Sequence, residues 1–223
     1  MSSTEYIKGR KLSIIVTAGP TREEIDPVRF ISNHSTGTFG YELAREAEER
    51  GHRVILISGP TALKPPSGVK IIRVKTAREM RSAILNEFKR GDCVIMAAAV
   101  SDWRPVRCEK RKIKRVRSKL TLELIANPDI LAELGRKKRG RKILAGFAVE
   151  SENLERNAVK KLRDKRLDFI VATKITEKKA VFGDNPIDVL MIDSSGPKTC
   201  LVQKSKRQLA KIIIDRVESY DKI

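Results

Sequence analysis

From Cys93 to Val100 the chain reads CVIMAAAV, an apolar run with no polar interruption. A strand with one wet face alternates polar and apolar side chains. A continuous run instead predicts a strand covered on both faces, as at the centre of a parallel sheet. Parallel strands need crossover connections, and the flanking sequence supplies them. Apolar, β-branched runs at 12–16, 53–58, 69–74, 142–147 and 168–172 read as further strands. Segments 40–50, 77–88 and 152–165 carry apolar residues at helical spacing, and Gly51 stops the first of them. Another helix begins at 127–129, with Asn127 as N-cap and Pro128 at the first helical position. Asp188–Asp193 and Thr199–Val202, joined by Ser-Ser-Gly-Pro, read as a hairpin, and Ser205 caps a closing helix that runs to Tyr220. The predicted fold is α/β: a single Rossmann-like, doubly wound domain over 1–223 with a largely parallel sheet. A basic flap falls at about 103–124, and a C-terminal hairpin plus helix at about 186–223.

The 223 residues are 40% hydrophobic, enough for an ordinary core, and no run approaches the ~18–20 apolar residues of a membrane span. The polar stretch 1–11 lacks the apolar segment of a secretory signal, so a cytoplasmic protein is expected. Cys93, Cys108 and Cys200 are scattered, and His34 and His52 are the two histidines, which argues against a disulfide framework or a Cys/His zinc site. The formal charge of +19 favours anionic partners. One reading of that charge is nucleic-acid binding through the arm CEKRKIKRVRSK, although aromatics are only 4% and no binding module is evident.

Ligands of doubly wound folds gather outside the carboxyl ends of the strands. The loops after Val16, Val100 and Phe147 converge there if their strands are neighbours. The first is the most unusual: Val16-Thr-Ala-Gly-Pro20 opens it, and Ser35-Thr36-Gly37 close it before a helix. It lacks the G-x-G-x-x-G spacing of a dinucleotide turn, which weakens a second alternative, an NAD(P)-dependent reductase.

The segments TAGPTREEIDPVRFISNHSTG at 17–37, AAAVSDWRP at 97–105, KIK at 112–114, NPDIL at 127–131, GFAVES at 146–151 and KLRDK at 161–165 occur in this order. Together they resemble phosphopantothenoylcysteine synthetase over nearly the whole chain. The resemblance implies a ligase of coenzyme A biosynthesis. The carboxylate of 4′-phosphopantothenate attacks the α-phosphorus of a nucleoside triphosphate, CTP in bacterial-type members and ATP in eukaryotic ones. The amine of L-cysteine then displaces the nucleotide from the acyl-nucleotide. Mg²⁺ on the triphosphate and a homodimer with a flap over each site are also implied. Some relatives carry an N-terminal decarboxylase, whereas about eleven residues precede the first strand here. The resemblance also implies association with a phosphopantothenoylcysteine decarboxylase. No membrane and no specific nucleic acid are expected as partners.

The same resemblance assigns residues. Lys112 neutralises charge on the nucleotide phosphates, where the residue alone reads as one more cation on a solvated ribbon. Asn33 holds the acyl-nucleotide with a neutral amide, or else satisfies loop backbone. Arg29 forks onto a carboxylate or phosphate, or pairs with Glu23, Glu24 or Asp26. Ser35, Thr36 and Gly37 cradle a phosphate at a helix N-terminus, or simply cap it. Lys161 and Lys165, four apart on a helix, face a triphosphate or solvent. Asp102, Pro128, Asp129, Ile130, Leu131 and Phe147 fall at nucleotide positions, and Ala98 and Ala99 allow close backbone approach to substrate. No metal ligands can be assigned. The chain departs from the family at Thr38 and Phe39, where Lys and Met are common, at Thr173, often Asn, and at Trp103, usually a smaller aromatic.

Overall fold

The computed structural model describes residues 10–115, 118–175 and 183–221. The start of the chain up to residue 9 and flap positions 116–117, both read in the sequence, lie outside them.

Six parallel strands form the body of the sheet: β1 (Ser13–Ala18), β4 (Arg53–Ser58), β5 (Lys70–Arg73), β6 (Cys93–Met96), β9 (Ile143–Glu150) and β10 (Phe169–Lys174). They lie in the order β5-β4-β1-β6-β9-β10. The first half winds outward from β1 and the second winds the other way from β6, so the strand order reverses between these two neighbours. That reversal opens a crevice at their carboxyl ends. The antiparallel hairpin of β11 (Ile187–Asp193) and β12 (Lys198–Lys204) extends the sheet beyond β10. Two short ribbons stand apart from it: β2 (Arg22–Glu24) with β3 (Phe30–Ser32), and β7 (Trp103–Pro105) with β8 (Leu124–Ala126).

Helices cover both faces. On one, α1 (Thr38–Glu49) and α5 (Lys206–Asp221) bury Leu43, Ala47, Ile213 and Val217 against Ile14, Val16 and Phe169. On the other, α2 (Ala77–Phe88), α3 (Ile130–Lys137) and α4 (Leu154–Asp164) bury Ile84, Leu134 and Leu162 against Ile15, Leu144 and Ile170. Ile14, Ile15 and Val16 thus alternate between two complete cores, the arrangement a strand without polar positions requires. Helix α1 presses on β1 through Gly40. A Cβ there would stand 2.5 Å from Ala18 Cβ and 2.7 Å from Thr17 O, so only glycine lets the two backbones meet.

Local chemistry explains where elements stop. The apolar run from Cys93 leaves the sheet after Met96. Its last residues cross-link to the end of β1 and the loop after it: Ala98 N donates to Thr17 Oγ1 at 3.1 Å, and Ala99 N to Gly19 O at 3.0 Å. Helix α3 starts later than its sequence suggests. Asp129, not Asn127, is the N-cap and accepts from Ala132 N at 2.9 Å. Asn127 instead donates to Ser101 O at 2.9 Å and accepts from Arg104 at 3.1 Å, fastening the ribbon to the loop after β6. Ser205 does cap α5: its hydroxyl accepts from Gln208 N at 3.2 Å, and the Gln208 side chain accepts from Ser205 N at 3.0 Å. Among the described residues no helix is long and apolar enough to cross a membrane.

Candidate functional site

The sheet order makes β9, β6 and β1 neighbours, so the loops after them meet at one edge. Two adjoining clefts open there. The smaller, about 170 Å³, is walled by Ala98, Asp102, Pro128, Asp129, Ile130, Leu131, Phe147, Lys161 and Lys165. The larger, about 540 Å³, is walled by Asn33, Ser35, Thr36, Gly37, Ala98, Ala99, Asp102, Phe147 and Lys161, with Thr173 and Lys206. That volume lies within the ~300–1,000 Å³ of small-ligand pockets. Ala98, Asp102, Phe147 and Lys161 belong to both, so the clefts form one angled groove.

Cations line the smaller cleft in a graded way. Lys161 projects from α4 and donates to Phe147 O at 2.8 Å. Burial, reinforced by the neighbouring charge of Lys165, pushes its ammonium below the ordinary lysine value. Lys165 pairs with Asp129 at 2.9 Å. Burial works against the Asp129 carboxylate, but the Ala132 N–H and Lys165 outweigh it and hold its pKa below the usual range. An anion placed here meets a half-buried, under-neutralised lysine and the N-terminus of α3. Close packing keeps α3 in position: a Cβ on Gly135 would stand 2.0 Å from Lys165 O.

Beside Lys161 and Lys206, the larger cleft is lined by neutral polar groups. Gly37, at φ +84°, is the N-cap of α1 without a side-chain cap, and Ser35 and Thr36 stand before it. The hydroxyls of Thr36 and Thr38 are 2.9 Å apart. Asn33 donates to Ala99 O at 3.0 Å, which aims its amide across the crevice. Phe39 packs edge-on against Phe147 with ring centroids 5.0 Å apart, and Thr173 donates to Asp188 O at 2.8 Å. These two departures from the family pattern therefore shape the groove wall, while Trp103 is 55% exposed on the ribbon.

Arg29 and Lys112 stand apart from the other sequence-assigned residues and wall neither cleft. Arg29 is held by Asp26 through Nε at 3.1 Å, and its Nη2 also donates to Ile113 O at 3.1 Å. Asp26 is fully buried and accepts from the Ile113 N–H as well, at 3.1 Å. The Arg29 guanidinium, helped by the Val28 and Ile113 N–H groups, holds the Asp26 carboxyl well below the usual range despite burial. This ion pair was one of the open alternatives for Arg29. Its consequence is a latch: the flap is pinned at Ile113 to the turn between β2 and β3, and Lys112 is exposed and lines neither cleft.

Sequence reasoning offered Asp26 as a partner of Arg29 but missed its hold on the flap at Ile113, and it missed Lys206. Asp26 carries a weak signal, an acid between Ile25 and Pro27 three residues before an arginine. Lys206 carries one too, a cation placed directly after a helix cap. Among the described residues no cluster of three or more His, Cys, Asp or Glu side chains could hold a metal ion. The exposed carboxylate of Asp102 in both clefts suits a divalent ion that arrives with a phosphate ligand, since magnesium needs only one or two protein carboxylates. The three cysteines are free, and burial pushes the Cys93 thiol up, as core packing requires.

The family described as DNA/pantothenate metabolism flavoprotein C-terminal domain matches residues 8–220. The coenzyme A biosynthesis bifunctional protein CoaBC of Bacillus subtilis is 43% identical over 94% of this chain and 52% of its own length. The protein of the same name from Borreliella burgdorferi is 39% identical over 94% of this chain and 53% of its own. The chain thus spans about half the length of the curated relatives it matches. A crystal structure of the C-terminal domain of a CoaBC protein superposes with a TM-score of 0.82 at 37% identity, covering 96% of this chain and 97% of that one. A Cab2 mutant in complex with phosphopantothenate-cysteine shares the fold, with a TM-score of 0.75 at 17% identity over 94% of this chain and 87% of that one. By sequence match and by fold, this chain belongs to the DNA/pantothenate metabolism flavoprotein C-terminal domain family.

Proposed function

We propose that this chain is the phosphopantothenate–cysteine ligase of coenzyme A biosynthesis, using CTP. The observation that carries the reading is the angled groove at the β1/β6 reversal, whose two arms join at Lys161. A ligase of this kind must bring a triphosphate and an anionic acid together, and a groove with Lys161 and Lys165 along one arm and hydroxyl and amide donors along the other suits both. Membership of a family whose relatives are named for coenzyme A biosynthesis supports it.

In this mechanism the triphosphate occupies the smaller arm. Lys161 and Lys165 draw its phosphates against the N-terminus of α3, and magnesium arrives with it as part of that substrate. The acid lies in the larger arm with its carboxylate toward Lys161. Close approach is possible because Ala98 and Ala99 present little more than backbone. The carboxylate oxygen attacks the α-phosphorus and pyrophosphate leaves. Asn33 steadies the acyl-nucleotide with a neutral amide, adding no charge that would hold back the next step. The cysteine amine then attacks the acyl carbon, and the nucleoside monophosphate departs. Lys112 reaches the phosphates only when the flap leaves its latch at Asp26, so flap release belongs to the cycle. A homodimer and a decarboxylase partner are part of the same proposal.

The test is incubation with 4′-phosphopantothenate, magnesium and either CTP or ATP, with and without cysteine, followed by mass spectrometry. Pyrophosphate and an acyl-cytidylate without cysteine, converted to the amide with it, are the expected products. Lys112→Ala is expected to slow the first step about 10²-fold or more, the usual loss when an electrostatic stabiliser of a transition state is removed. Folded protein that forms no product with either triphosphate overturns the reading.

A further inference from the structure

A separate cavity of about 670 Å³ opens at the carboxyl ends of β4 and β5, where Ser58 and Arg73 close those strands. It shares no lining residue with either arm of the groove. Packed backbone divides the two. A Cβ on Gly59 would stand 1.9 Å from Pro20 O, and one on Gly37 would stand 3.1 Å from Thr61 Cγ2. Gly59 and Thr61 line the cavity, and Gly37 lines the groove. The volume lies within the ~300–1,000 Å³ of small-ligand pockets.

Arg22, Arg73, Lys75 and Glu79 are the charged residues of its wall. Lys75 and Glu79 are engaged: the Lys75 ammonium pairs with Glu24 at 2.5 Å, and Glu79 Oε2 accepts from Lys75 N at 2.7 Å. The hydroxyls on the wall are engaged as well. Ser58 donates to Gly59 O at 2.8 Å, which leaves Tyr41 to donate to Ser58 at 3.1 Å. The two guanidinium groups remain. Among the described residues neither Arg22 nor Arg73 pairs with a carboxylate or donates a side-chain hydrogen bond. Arg22 is nevertheless half-buried and held in place. Its guanidinium lies 4.5 Å from the centre of the Phe30 ring, the diagonal neighbour across the β2–β3 ladder. Stacking covers the flat face of the group and leaves the N–H donors along its edge available. Arginine is seldom buried unpaired, and its unmet donors carry a desolvation cost that an oxyanion would offset. Arg73 enters the same cavity from β5, and the Thr61 and Ala62 N–H groups in the loop after β4 donate to no described residue. Planar forks from two elements match the oxygens of a phosphoryl group, and its two charges neutralise both arginines where a single carboxylate would leave one unmet.

We propose that this cavity is a second ligand site, apart from the groove, that takes a small phosphorylated metabolite and holds its phosphoryl group between Arg22 and Arg73. The site does not depend on the ligase reading, because none of its residues belongs to the groove.

The experiment follows modification of arginines by phenylglyoxal, residue by residue, by mass spectrometry of the full chain. Inorganic phosphate, pyrophosphate and sodium chloride are compared at matched ionic strength. No arginine lines either arm of the groove, so an anion held by the groove lysines is silent in this readout. Phosphate and pyrophosphate are expected to protect Arg22 and Arg73 together and to leave the exposed Arg90 unprotected, whereas chloride protects none of the three. Arg73 is exposed, so Arg73→Ala keeps the fold. In that variant the phosphate concentration that half-protects Arg22 should rise about 10-fold or more, the loss of one charge-assisted hydrogen bond. Arg73→Lys, which keeps the charge without the fork, should fall between the two. Protection of one arginine without the other, equal protection by chloride, or unchanged half-protection in Arg73→Ala overturns the proposal. Should Arg73→Ala not fold, the wild-type comparison of phosphate with chloride decides alone. Ligase turnover without protection of Arg22 and Arg73 removes the second site only, and protection without turnover removes the ligase reading only.

Discussion

Lys161 concentrates the electrostatics of the groove in one side chain. Its pKa is lowered by burial and by Lys165, while Glu150, Asp129 and Asp102 work the other way. For a base whose folded pKa lies below its unfolded 10.5, the charged form is the one disfavoured in the fold. The destabilising contribution is therefore complete below the folded pKa. It fades as pH rises from there to 10.5, where the unfolded chain holds the extra proton. Lys161→Met should accordingly be more stable than the wild type at neutral pH in denaturant titrations, with the gain shrinking at alkaline pH. The same variant should lose about 10- to 100-fold in kcat/KM, as for a charge-assisted hydrogen bond removed. On the proposed reading a bound triphosphate raises the pKa again, so CTP binding just below pH 10.5 should take up a proton in the wild type and not in the variant. Calorimetry in buffers of different ionisation enthalpy measures this; equal uptake in both proteins would assign the proton to another group.

The flap and its latch show how a secondary element is held by one buried acid. Asp26 receives the Val28, Arg29 and Ile113 N–H groups and the Arg29 guanidinium. Glu109 N reinforces the same edge by donating to Ile25 O at 2.9 Å. Because the folded pKa of Asp26 is depressed, its contribution is present above the ordinary 3.8 and is lost only as pH falls through the lower folded value. Asp26→Asn removes the charge at every pH. Tryptic cleavage within 110–115 should then accelerate about tenfold or more, since cleavage tracks local opening; unchanged cleavage would mean that other contacts hold the flap. The sequence made the strand at 53–58 and the helix at 77–88 legible to the residue, because local period and caps decide them. It hid β2 and β3, since Arg-Glu-Glu opposite Phe-Ile-Ser has neither alternation nor length. It also misplaced the α3 cap, as Asn127 and Asp129 are equally good caps until Asn127 is drawn away by Ser101 and Arg104. Groove residues that share a motif were found together, whereas Lys206 lies in a distant helix and looks, in sequence, like any other of 47 cations.

Across the molecule, 47 basic residues against 28 acidic ones leave +19, and two effects of salt compete. Screening weakens ion pairs such as Arg50 with Asp215 or Lys160 with Asp164, whose acidic partners are 64% and 42% exposed. Pairs of that kind contribute about 0–1 kcal/mol each. Screening also relieves repulsion among an excess of cations over the whole surface, a term that grows with net charge. With so large an imbalance the second effect should win. The unfolding midpoint in denaturant is expected to rise as sodium chloride goes from roughly 0.1 to 1 M, over which the Debye length falls from about 10 Å to about 3 Å. Binding should respond the other way. On the proposed ligase reading, a triphosphate steered by the positive field toward Lys161 and Lys165 loses attraction over the same range, so the KM for CTP should climb while kcat moves little. Stability and substrate affinity thus change in opposite directions with a single variable. A fall in both would mean that ion-pair networks, not net repulsion, dominate the fold. A rise in stability with a constant KM would mean that the groove is shielded from the surface field and that its own lysines do all the binding.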